Sequence, residues 1–165
     1  MKSTKLYNLL FPIWFLIWIP SWLWLLLIPA NYILDTIVTY FTLPKDENRW
    51  QFCIRNTWKI CLAGFFSDLV GSAILFVIGT FGPDMGVKWL KDVSYALYDI
   101  PFANPLALLI CFFSIAIAGV LIYFIDRKIM IRAGLAIDQA KKSARWLAII
   151  TAPYLFLIPA GWIYG

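Results

Sequence analysis

The sequence predicts an all-α integral membrane protein, and three observations carry that prediction. Hydrophobic residues make up 62% of the 165-residue chain and charged residues only 14%, where soluble domains carry roughly 45–50% and about 25%. Apolar residues collect into stretches long enough to cross a bilayer. Basic residues fall in the short segments between them, as membrane topology requires. Too few charged side chains remain to cover a water-soluble globule, and the mean hydropathy of +0.80 excludes disorder. The full expectation is a single membrane domain with a Pro-broken N-terminal hairpin and three transmembrane helices. An amphipathic outer-surface helix and a basic cytoplasmic helical connection join them.

The first apolar stretch runs from Tyr7 to Leu43. Its start, Met1-Lys2-Ser3-Thr4-Lys5, has the charge of a signal peptide. The apolar run after it, Leu6 to Ile28, exceeds the roughly 7–15 residues of such a segment, so it is expected to be retained. As one helix the 37-residue stretch would be about 55 Å long, against a hydrocarbon core of about 30 Å. Pro12, Pro20 and Pro29 interrupt it, and each can break the helical hydrogen-bond ladder. A hairpin turning at Pro20-Ser21 or at Pro29-Ala30-Asn31 competes with one crossing followed by an interfacial helix.

Ile60–Phe81, Pro105–Ile125 and Trp146–Ile163 each fit one crossing, the last being short and carrying Pro153 and Pro159. Basic charge arbitrates between the topologies. With a hairpin, the N-terminus and both basic loops are cytoplasmic, giving 12 positive residues inside and 2 outside. Four simple crossings from a cytoplasmic N-terminus give 4 inside and 10 outside, and from an external one 10 inside and 4 outside. The hairpin is therefore the expectation, in a bacterial cytoplasmic membrane with a cytoplasmic N-terminus.

Between the second and third stretches, Val87, Leu90, Val93 and Leu97 recur at helical spacing, which predicts an amphipathic surface helix within Asp84–Tyr98. Asp126–Arg145 is basic, with a turn expected near Gly134. Arg127, Lys128, Arg132, Lys141, Lys142 and Arg145 sit where anionic inner-leaflet lipid would attract them. The pI of about 9.2 thus reflects orientation in a membrane and not nucleic-acid binding. Of nine tryptophans, Trp50, Trp58, Trp146 and Trp162 flank crossings as interface anchors, while Trp14, Trp18, Trp22 and Trp24 crowd the first stretch in packing or lipid-facing roles.

Enzyme chemistry has no foothold. The chain has no histidine, no GxSxG, HExxH or Walker motif, and no acidic metal cluster, so neither a catalytic site, a cofactor nor a metal is expected. Cys53, Cys61 and Cys111 lack disulfide or metal spacing and read as buried thiols.

Two acidic residues do lie inside apolar stretches, Asp35 and Asp68, where a carboxylate costs a few kcal/mol and so faces protein or water. Asn31, Asp35, Thr39 and Thr42 form one polar stripe. Gly64, Asp68, Gly71 or Ser72, and Gly79 form a second, and Ala107, Cys111, Ser114 and Ala118 a third. Small residues allow close helix approach in lipid, so Gly64, Gly71, Gly79, Ala107, Ser114 and Ala118 are expected to be packing seams. Asn31, Asp35, Thr39, Asp68 and Ser72 form the candidate intramembrane polar site. The first functional expectation is a small membrane subunit acting by helix–helix assembly with other chains. The alternative is a homo-oligomeric channel or proton- or cation-coupled transporter using Asp35 and Asp68.

Overall fold

The computed structural model describes residues 12–19, 24–45, 48–159 and 162, and every regular element among them is helical. Three helices are long and apolar enough to cross a membrane. These are α2 (Trp24–Thr42), α3 (Arg49–Phe81, extended by a 3-10 turn to Met85) and α5 (Pro105–Arg132). They are joined by α1 (Ile13–Leu16), α4 (Lys88–Tyr98) and α6 (Ile137–Ile150).

Local chemistry sets the boundaries. The Asn48 side chain caps α3 by accepting from the Gln51 amide at 3.3 Å, and Gly82-Pro83 ends its α-helical part. Asn104 caps α5 through the amides of Leu106 (2.9 Å) and Ala107 (3.3 Å), with Pro105 at the first helical position. At the other end of α5, Gly134 adopts φ 100°. The Leu135 amide reaches back to the Met130 carbonyl and the Gly134 amide to Ile131, a Schellman closure that needs the glycine. The turn expected near Gly134 is therefore present. Both long helices overrun their apolar cores at the basic end, α3 by Arg49–Lys59 and α5 by Asp126–Arg132. Capped polar segments continue a helix outside lipid without difficulty.

The central contact is between antiparallel α3 and α5. A Cβ placed on Gly71 would lie 2.9 Å from the Ser114 carbonyl oxygen and 3.1 Å from the Ala118 Cβ. Ala107, Cys111, Ser114 and Ala118 are each fully buried on the α5 side. The second and third stripes thus meet each other within one chain. The amphipathic helix is also present: α4 buries Val93, Ser94 and Leu97 and exposes Trp89 and Tyr95. It is tied to α3 by the Ser94 hydroxyl, 2.9 Å from the Ile78 carbonyl.

Two expectations are corrected. The first stretch does not turn at Pro29, because α2 runs unbroken through it; one lost N–H is tolerable in a membrane helix. The Pro20-Ser21 turn lies outside the described residues, as do Lys2 and Lys5. Contacts on either side of that gap step along α3 in one direction. The Trp14 ring lies against Gly79, the Trp18 indole donates to Ser72 Oγ at 3.1 Å, Trp24 stacks on Phe65, and Cys53 Sγ lies 4.0 Å from the Thr36 carbonyl. Residues 12–19 therefore sit toward the end of the bundle away from the basic loops.

The second correction concerns Trp146–Ile163, which is not a helix. α6 begins earlier, at Ile137, and stops at Ile150. Thr151-Ala152-Pro153 breaks it, and a 3-10 turn, Tyr154–Leu157, follows. Pro153 lacks the N–H to continue the ladder, and its ring disfavours helical backbone at the residue before it. α6 is amphipathic, burying Ala140, Ser143, Ala144 and Leu147. It climbs from the basic end along α5 until Phe156 reaches the α3–α5 seam beside Gly71.

The seam makes a direct prediction. Gly71→Leu drives a side chain into backbone and should destabilise by about 1–3 kcal/mol or more. At Gly64 an added Cβ meets nothing within 4 Å, so Gly64→Leu should be neutral for the monomer. Thermal unfolding in detergent reads both, and equal losses in the two variants would contradict this packing.

Candidate functional site: a buried carboxyl cluster and its cavity

Asp35 lies on the inward face of α2, one turn from Asn31 and from Thr39, and is 4% exposed. Asp68 lies on the inward face of α3 and is 8% exposed. The structure adds a third carboxyl, Asp126 of α5, which is 1% exposed. Three helices thus contribute one buried carboxyl each, and Val38, Ile60, Ile122 and Leu147 from α2, α3, α5 and α6 form a buried apolar cluster.

Among the described residues no basic side chain forms an ion pair with Asp35, Asp68 or Asp126. The one ion pair among the described residues joins Lys141 to Asp138 on the surface of α6. Arg127, next to Asp126 in sequence, lines a separate surface cleft with Lys128 and Arg132. Asp68 Oδ1, both Asp126 oxygens, Thr39 Oγ1 and Ser143 Oγ are buried with no hydrogen-bond partner. Leaving such groups unsatisfied costs roughly 1–3 kcal/mol each. The carboxyls do not converge as metal ligands: among the described residues no three acidic or thiol groups can share an ion. All three cysteines are free and buried.

Of the expected site residues, Asn31 and Asp68 line one cavity, while Asp35 and Thr39 are buried on the inward face of α2. Ser72 does not join them. Its hydroxyl donates to the Leu69 carbonyl and accepts from Trp18, so it anchors the N-terminal segment. Asp126 was hidden in the sequence by the basic run that follows it. The α5 stripe carries the missing signal, since Ala118, Ile122, Asp126 and Met130 continue it at four-residue steps and all are buried.

A cavity of about 290 Å³ opens beside Asp68. Asn31 and Asp68 stand on its wall, with Leu27, Phe65, Tyr154 and Phe156 among its apolar lining. The broken backbone at Thr151-Ala152-Pro153 forms another side. Irregular backbone at membrane depth is tolerated where protein buries it or a cavity adjoins it. Comparison with protein-family models, curated proteins and solved structures found no match to this chain.

The orphaned carboxyl of Asp126 gives a test of whether this cluster serves stability. Asp126→Leu replaces an unsatisfied buried group with an apolar one of similar size and should stabilise the protein by about 1 kcal/mol or more. A fall in melting temperature would mean that Asp126 holds the fold together.

Proposed function

We propose that this chain is a small membrane protein with an interior proton- or cation-binding site, acting as a homo-oligomeric proton- or cation-coupled transporter. The observation that carries this reading is the set of three buried aspartates, from three helices, with no basic side chain among the described residues paired to any of them. A structural role would leave those carboxyls bonded across a seam. Here Asp68 Oδ1 and both Asp126 oxygens are buried without a hydrogen-bond partner. Polar groups kept at this cost inside a membrane domain mark ion or proton pathways. Because the three carboxyls do not gather on one metal position, the proton is the favoured coupling species. Three spanning helices are too few to enclose a path alone, which is why the reading includes an oligomer.

Assembly with other chains is the second reading, favoured by one observation. Most of the small-residue positions that suggested it are consumed within the chain, Gly71, Ala107, Ser114 and Ala118 in the α3–α5 seam and Gly79 against Trp14 and Tyr98. Gly64 alone among them presents an open face on α3.

The same proposal includes orientation. Ten lysines and arginines lie at or beyond the basic ends of α3 and α5, in residues 45–59 and 127–145, while Lys88 and Lys91 lie at the other end. The basic end is cytoplasmic by the positive-inside rule. Its clefts, one with Arg127, Lys128 and Arg132 and one with Lys141, Lys142 and Arg145, face anionic inner-leaflet lipid. Residues 12–19 then lie toward the exterior.

Two measurements test these statements. In proteoliposomes carrying an imposed membrane potential, the wild type should let internal pH change faster than empty vesicles. Asp35→Asn, Asp68→Asn and Asp126→Asn should each cut that rate by about tenfold or more, the change given by about 1.4 kcal/mol at the site. Wild-type flux indistinguishable from empty vesicles would end the transport reading. For orientation, Lys88→Cys should react with a membrane-impermeant thiol reagent in intact cells and Lys142→Cys should not. The reverse labelling would invert the topology.

A further inference from the structure

The cavity beside Asp68 has a chemistry more specific than proton binding. Its volume of about 290 Å³ is at the lower end of small-ligand pockets. Its walls are mainly aliphatic and aromatic, with Leu27 and Leu34 from α2, Phe65 from α3, and Tyr154 and Phe156 from the C-terminal turn. Among the described residues no lysine or arginine lines it. Against this apolar lining stand two polar side chains of helices α2 and α3, Asn31 and Asp68, the latter more than nine-tenths buried with Oδ1 unpartnered.

A third feature points the same way. The 14-residue helix α6 ends on this cavity, with Ile150 and Thr151 in its wall. A helix C-terminus carries partial negative charge, which favours a cation. Aromatic faces do so as well. An anion would meet a carboxyl, a negative helix end and no basic group. A neutral apolar molecule would leave Asp68 buried and unsatisfied.

We infer that this cavity binds a monovalent organic ammonium with a compact apolar body, its charged head beside Asp68 and the end of α6 and its body among Leu27, Phe65 and Phe156. The inference rests on the proposed cation-responsive role of Asp68 and names the substrate class of that site.

The test is equilibrium binding to the full-length protein in detergent, with benzyltrimethylammonium as the probe and neopentylbenzene as its uncharged isostere. The wild type should bind the ammonium saturably and at least about tenfold more tightly than the isostere. Asp68→Asn should lose about tenfold or more in ammonium affinity while its affinity for the isostere changes little. Leu27→Trp, which fills the cavity and keeps Asp68, should lose both ligands. Phe113→Leu, on the exposed face of α5, should lose neither. Absence of saturable ammonium binding by the wild type overturns the inference. So does unchanged ammonium affinity in Asp68→Asn, or equal affinity for the two ligands. If Asp68→Asn does not fold, full ammonium binding by Leu27→Trp overturns it independently. Proteoliposome flux separates the two ideas: flux without ammonium binding overturns this inference alone, and ammonium binding without flux supports it while ending the transport reading.

Discussion

The approach of α3 to α5 at Gly71 is the contact on which the rest of the molecule depends. A hydrogen in place of a side chain lets the α3 backbone reach the Ser114 carbonyl and the Ala118 methyl group. Close van der Waals packing between small residues holds these two apolar helices together. Once these two helices are locked antiparallel, the inward faces of both are fixed in register. Asp68 then faces the interior on one side of the seam and Asp126 on the other. α2 and α6 fill the remaining space, with Val38 and Leu147 meeting Ile60 and Ile122 in one core cluster.

The two irregular segments of the chain solve a shared problem. Residues 12–19 and 151–157 both lie in the apolar bundle, where open backbone cannot be left facing hydrocarbon. They cover one another at the upper part of the seam, Trp14 and Phe156 belonging to one core cluster with Leu75 and Cys111. Indole donors tie the N-terminal segment to its surroundings: Trp14 bonds the Leu97 carbonyl of α4 and Trp24 the Leu16 carbonyl of α1, each at 3.2 Å. Ile17 and the 150–156 turn then share the wall of the cavity at Asp68. The breaks in the helices and the cavity are thus one feature, because a continuous sixth helix would have packed this space shut.

Stability and the candidate site pull in opposite directions here. The seam is closely packed at Gly71, whereas Asp68 and Asp126 hold buried unsatisfied oxygens that cost free energy. Such local violation of the packing rules is where function is expected in an otherwise consistent fold.

The sequence by itself determined the class of the protein and most of its helices. Composition and stretch length fix an apolar helical bundle, and periodicity marks α4 because one face must be buried and the other exposed. Asp35 and Asp68 stand out for the same reason: a charge inside an apolar run is visible in one dimension. Asp126 does not stand out, since it borders a basic loop, and only the overrun of α5 beyond its apolar core carries it into the interior. The fate of Trp146–Ile163 was equally hidden. Its apolar content suits a crossing, yet Pro153 and the packing of α6 on α5 turn it into a helix, a break and a cavity wall. Hydropathy records how much lipid a segment can tolerate. Which of its faces meets another helix, and which side chains from separate segments share one interior, is set by the packing of the seam.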